Sequence, residues 1–232
     1  MDLLVEGLIK AFEMLIKGDP EVFEIAFRTI RVSVTAVIIS TILGIPCGVF
    51  LGLKRFRGRK FILTIINILM GLPPVVAGLW VTIFLWRSGP LGNLSLLFTP
   101  TAIVIAQVLV SFPIITGLTA SAFQQIDEKM LLQIKALGPT KAQTLKILLL
   151  ETRVSILAAI IAGFGRVIAE VGAAQMVGGN LRGETRILTT AIVMEVSKGN
   201  FDIAFALSFV LMGIAFLITF LLTHMQQRSK KA

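Results

Sequence analysis

The sequence predicts an all-α membrane protein, a polytopic helical bundle with five transmembrane helices, and three observations carry that prediction. The 232-residue chain has a mean hydropathy of +0.91, with 56% hydrophobic and only 15% charged residues, far more apolar than a water-soluble domain of this length. Five apolar stretches, roughly 29–53, 61–86, 100–123, 154–177 and 201–222, reach the about 20 residues a helix needs to cross hydrocarbon. The basic residues alternate in sidedness. Lys54, Arg55, Arg57, Arg59 and Lys60 follow the first stretch, Lys129, Lys135, Lys141, Lys146 and Arg153 follow the third, and Arg228, Lys230 and Lys231 follow the last. Thirteen of the 22 Lys and Arg residues thus share one side, which the positive-inside rule makes cytoplasmic. Residues 1–28 hold six acids against three bases, so the N-terminus is expected outside and the C-terminus inside. The net charge of +9 follows from this topology, not from a nucleic-acid partner. A single transmembrane domain over 1–232 is expected.

Leu4, Leu8, Phe12, Leu15 and Ile16 line one face of a helix too short to span, an interfacial amphipathic helix over 1–18 on the outer surface. No basic n-region precedes its apolar residues, so no cleaved signal peptide is expected. Gly18 ends that helix, and Asp19 with Pro20 starts another that runs into the first span. Gly44, Gly48 and Gly52 recur every four residues there, a ridge on which another helix approaches closely, and Pro46 is expected to kink the helix. Cys47 is the only cysteine and lies in the same span, which leaves neither a disulfide framework nor a thiolate metal site.

The second span contains Gly71-Leu72-Pro73-Pro74-Val75-Val76-Ala77-Gly78. Pro73 and Pro74 remove the donors that would serve the carbonyls of Leu69 and Met70, and such backbone is tolerated at membrane depth only against protein or a water-filled cavity. Two uses are open, a kink packed on neighbours and the lining of a pathway. Trp80 and Trp86 fit an outer aromatic belt. The third span is the most polar, with Gln107, Ser111, Thr116, Thr119 and Ser121 beside Pro113. Such hydroxyls bond to other helices or face a polar lumen.

Residues 124–151, QQIDEKMLLQIKALGPTKAQTLKILLLE, read as two short helices between the third and fourth spans. Asp127 caps the first, Gly138 and Pro139 stop it, and Thr140 with Gln143 forms a capping box for the second. Met130, Leu131, Ile134 and Leu137 place an apolar stripe on the first helix, suited either to a partner groove or to lipid.

The fourth span carries Arg166 and Glu170, each costing about 2.5 to 3.5 kcal/mol near a bilayer centre on insertion scales. At i, i+4 they can pair on one face. A self-contained ion pair and a helix that faces an aqueous path or a partner subunit are both open, but alanine or valine would insert more cheaply than the pair. Residues 187–196 are too few to cross and predict a short outer helix or re-entrant segment, and Asn200 with Asp202 starts the last span. Arg182, Arg186 and Lys198 put positive charge outside, guiding an anion or solvating a loop. His224, the sole histidine, falls at the inner membrane edge.

Lys135-Ala136-Leu137-Gly138, then nine residues, then Leu148-Leu149-Leu150 resembles the cytoplasmic coupling loop of ABC importer permeases. Where that loop opens on Glu-Ala-Ala and closes on Leu-Pro, this chain has Leu132-Gln133-Ile134 and Leu150-Glu151. Gly163 to Ala173, Met176 to Arg186, Leu72 to Leu79 and Ile187 to Asp202 are similar to permeases of molybdate, sulfate and tungstate importers, nearest the tungstate-type branch. The resemblance implies a type I ABC importer fold in a prokaryotic cytoplasmic membrane. It also implies ATPase coupling through Lys135, Ala136, Leu137, Gly138, Pro139 and Thr140. Further implied are a homodimer, cytoplasmic P-loop ATPase subunits that carry ATP and Mg, and an extracellular or periplasmic oxyanion-binding protein. Pro73, Pro74, Ser111, Pro113, Arg166 and Glu170 are the candidates for the translocation path and its gate.

No G-x-x-x-x-G-K-[ST], H-E-x-x-H or Ser/His/Asp set occurs, so catalytic residues, metal ligands and a bound cofactor are not expected in this chain. An ATP-independent transporter would show an inverted repeat, and residues 124–151 have no counterpart in the first half. The expected function is a membrane permease subunit that moves a tetrahedral oxyanion, most closely tungstate, with molybdate and sulfate as the alternatives.

Overall fold

A computed structural model describes Val5, Ile9, Glu13 and residues 19–231, apart from the side chains of Lys135 and residues 229–231. The interfacial helix read from Leu4, Leu8, Phe12, Leu15 and Ile16 lies outside the described residues. Among the described residues the regular structure is helical, with no strand.

Helix α1, Pro20–Leu53, begins where Asp19 Oδ1 accepts the Glu21 and Val22 amides and Pro20 occupies the first turn. It continues through Pro46 as one 34-residue helix. α2, Arg59–Met70, and α3, Pro74–Leu85, follow, then a 3₁₀ turn at Gly92–Leu94. α4, Pro100–Gln124, starts on the Thr99 cap. α5, Glu128–Ala136, and α6, Lys141–Glu151, form the helical pair expected between the third and fourth spans. α7, Arg153–Ile168, and α8, Gly172–Gly178, precede α9, Leu188–Ser197, and α10, Phe201–Lys231.

α1, α4 and α10 are each long and apolar enough to cross a membrane. The other two spans are bent helix pairs. The second, read as one crossing over 61–86, is the pair α2 and α3, bent by 104° at Gly71-Leu72-Pro73. The fourth, read over 154–177, stops at Ile168, and α7 is instead joined to α6 across a 64° bend. Counting each bent pair once gives five crossings.

α4 is the central helix, and α1 packs along it more extensively than any other pair. The glycine ridge causes this. A β-carbon on Gly44 would meet Ile115 and Thr116 at 3.1 Å, one on Gly48 would meet Thr119 Cβ at 2.6 Å, and one on Gly52 would meet Phe123 Cβ at 2.5 Å. Across α4, Ile115 also fills the notch at Gly163 of α7, so one side chain wedges between two helices. α9 does not cross. Leu188 and Ala191 bury it against Val22, Ile25, Leu207 and Val210, and the Leu188 amide donates to Thr29 Oγ1 at 2.9 Å.

Candidate functional site

Two helix breaks meet inside the bundle. At the first, Pro73 and Pro74 cannot donate, and Gly71 and Leu72 close back on Ile68 and Leu69 in 3₁₀ fashion. Val76 and Ala77 both donate to the Pro73 carbonyl, which leaves the Leu72 carbonyl without its helical donor. Arg166 Nη2 reaches that carbonyl across the interhelical gap, at 3.5 Å. At the second break, α7 ends at Ile168, and buried Glu170 lies just ahead of α8 and satisfies its first turn, Oε1 accepting from the Ala173 amide at 2.6 Å. Thr189 Oγ1 donates to the Glu170 carbonyl at 2.9 Å and ties this break to α9.

Of the two readings left open for Arg166 and Glu170, the self-contained ion pair does not form. An i, i+4 pair needs an unbroken helix, and this one terminates between the two residues. Each charge serves freed backbone instead, Arg166 an orphan carbonyl and Glu170 an orphan amide.

The two breaks are pressed together by small residues. Gly172 leaves room for Val75 Cγ2, 2.6 Å from where its β-carbon would stand, and Gly78 leaves room for the Ala173 backbone at 2.7 Å. Pro73, Val75, Gly165 and Ala169 are exposed around Arg166, which is half-buried. The N-terminal, positive end of α3 and the Arg166 guanidinium thus lie beside one another at an open face.

Among the proposed path residues, the structure brings Pro73, Pro74, Arg166 and Glu170 to this junction. Ser111 and Pro113 are buried elsewhere, in the packing of α4. Ser111 Oγ bonds to Ser40 Oγ at 2.7 Å and to the Gln107 carbonyl at 2.8 Å. In this state they pack rather than line an opening. Sequence reasoning missed Val75, Gly172 and Thr189. For Glu170, the usable signal was an acid just ahead of a glycine that opens a helix.

At the basic end, Asp127 Oδ1 accepts the Lys129 amide and α5 ends before Gly138, whose φ is +65°. Thr140 and Gln143 close the capping box, with Thr140 N to Gln143 Oε1 at 2.8 Å and Gln143 N to Thr140 Oγ1 at 3.3 Å. The apolar stripe differs from the expectation. Ile134 is buried with Phe123, Leu148 and Ile156, and Met130 and Leu131 pack on them. Leu137, 85% exposed, and Leu132, 65% exposed, are what α5 offers outward, next to Ala136 and Pro139.

The charges of Arg182, Arg186 and Lys198 serve structure. Arg182 and Arg186 both pair with Glu21, at 2.6 and 3.2 Å, and Lys198 pairs with Glu195 at 2.9 Å. Arg28 donates to the Arg186 and Gly183 carbonyls and to Glu24, fastening the 179–187 loop to α1.

Residues 44–231 match the family described as binding-protein-dependent transport system inner membrane component. The chain is 39% identical over 227 residues to the tungstate uptake system permease protein TupB of Peptoclostridium acidaminophilum, covering 98% of this chain and 100% of that one. It is 31% identical over 229 residues to the TupB of Campylobacter jejuni, covering 99% and 95%. It is 28% identical over 234 residues to the sulfate transport system permease protein CysW of Escherichia coli, covering 96% and 78%.

Proposed function

The chain belongs to the family of binding-protein-dependent transport system inner membrane components, and from that premise we propose that it carries tungstate as the permease subunit of an ATP-driven importer. End-to-end identity of 39% with a tungstate uptake permease is the observation that carries the reading. Sulfate is the alternative cargo that a second relative supports, at 28% identity, and molybdate shares the same tetrahedral dianionic chemistry.

Two copies surround one path. Five crossings enclose little volume, and a two-fold dimer places the opening between subunits. α4 is enclosed by its own chain and leaves little surface for a partner, so the second and fourth crossings supply the seam. α7 turns Ser155, Ala158, Ala162, Gly165 and Ala169 outward beside Arg166, and this small-residue face lets a second copy come close to the junction. There Arg166 and the positive end of α3 attract an anion, while Pro73 and Pro74 supply the backbone that closes behind it. Glu170 holds α8 in place, and the Ser111 and Pro113 seam is where α4 moves against α1.

Separate P-loop ATPase subunits hold ATP and Mg and grip the turn from Lys135 to Thr140, with Leu137 as its exposed apolar contact. A binding protein outside delivers the oxyanion. Closure of the ATPases pushes α5 and α6, and the 64° elbow into α7 passes that push toward the junction. The N-terminus lies outside and the C-terminus in the cytoplasm of a prokaryotic cell. Isothermal titration of tungstate, molybdate and sulfate into the cognate binding protein tests the cargo, and a preference for sulfate would transfer the reading to the alternative.

A further inference from the structure

The basic end of the bundle holds a cavity that the transport reading does not use. It measures about 490 Å³ and lies between the turn after α1 and the start of α5, with Arg55, Arg59 and Glu128 on its polar side and Leu53, Phe123 and Leu131 on its apolar side. Arg59 is fixed at its wall. Its Nε donates to the Leu51 carbonyl at 2.6 Å and its Nη2 to the Gly52 carbonyl at 3.2 Å, which satisfies the last turn of α1. Nη1 makes no hydrogen bond among the described residues and keeps both donors. Arg55 is 3.6 Å from Glu128, a loose exposed pair, so one carboxylate faces two guanidinium groups. Lys54 and Lys60 add to the excess of positive charge.

The surroundings are apolar where a soluble anion would need no such surface. Phe56, Phe61, Ile62, Ile65 and Ile68 are exposed along the turn and α2, which sets the hydrocarbon boundary at the level of the two arginines. We propose that this cavity holds the phosphate of an anionic phospholipid between Arg55 and Arg59, with its acyl chains on the exposed face of α2. A cluster of cations directly after a membrane helix is the pattern that attracts such headgroups. The bound lipid joins the turn after α1 to α5 and so braces the helical pair from its membrane side. This inference rests on the chain's spanning a bilayer and not on its cargo.

Native mass spectrometry tests it on the full chain taken from micelles that contain equal amounts of phosphatidylglycerol and phosphatidylcholine. Phosphatidylglycerol is retained in preference, and Arg55→Glu lowers its retention about tenfold or more. Arg228→Glu makes the same charge change at the same end, outside the cavity, and leaves retention close to that of the unaltered chain. Arg55→Gln, which removes the charge without reversing it, gives a smaller loss in the same order. Equal retention of the two lipids, or equal losses in the Arg55 and Arg228 variants, overturns the proposal. Displacement by millimolar inorganic phosphate assigns the cavity to a free anion, and loss of the lipid on adding the ATPase subunits assigns it to that partner. Because neither the cargo nor its uptake enters this measurement, failure here leaves the transport reading standing.

Discussion

Gly48 of α1 lies directly against Thr119 of α4, so close that a β-carbon on Gly48 would stand 2.6 Å from Thr119 Cβ and 2.7 Å from the Thr116 carbonyl oxygen. Backbone cannot give way as a flexible side chain can. Gly48→Val should therefore destabilise the packed chain by roughly 1 to 3 kcal/mol or more. Thermal unfolding in detergent checks this, with Ile42→Val on the exposed side of the same helix as the reference that should change little.

Arg166 bonds a carbonyl that the double proline has orphaned. Arg166→Ala removes both the 3.5 Å contact to that carbonyl and the cation beside the start of α3. Oxyanion uptake should fall far below that of the lipid-facing variant Ile42→Ala. Arg166→Lys, which keeps the charge, should recover part of it. Vesicle uptake assays at matched protein amounts separate these outcomes.

Gly138 sits at φ +65° with nothing within 4 Å of the place where a β-carbon would go. Its restriction is therefore backbone strain and not space. Gly138→Val should force about 1 to 2 kcal/mol of left-handed strain onto the turn and uncouple the ATPase while leaving insertion intact. Gly138→Asn tolerates that conformation and should retain coupling. Stimulated ATP hydrolysis in the assembled complex reads the difference.

A cysteine at position 57 should react with a membrane-impermeant maleimide only from the cytoplasmic side. Cys47 is free and exposed, so the measurement uses a Cys47→Ala background. Labelling from outside would reverse the topology.

What the sequence revealed depended on how local the cause was. The Gly44-Gly48-Gly52 ridge, the Asp19 cap and the Thr140–Gln143 capping box each rest on a few neighbouring residues, and all three form as read. Pro73 and Pro74 announced a break, but the 104° angle comes from Val75 and Gly78 packing on Gly172 and Ala173, nearly a hundred residues away. The end of α7 at Ile168 had no proline to mark it. Apolar length carried the helix onward to residue 177, which would have let Arg166 and Glu170 pair, whereas the chain turns and Glu170 accepts an amide of α8 instead. Likewise Met130 and Ile134 read as a free stripe because sequence cannot show that Leu148 and Phe123 cover them.

The dependence of transport on nucleotide tests the central claim most directly. Tungstate accumulation is measured in vesicles that hold this chain with its ATPase and binding protein, with and without ATP. Uptake only when ATP is present, abolished by an ATPase that cannot hydrolyse it, is the predicted result. Full-rate uptake by this chain alone, without nucleotide, would contradict the account.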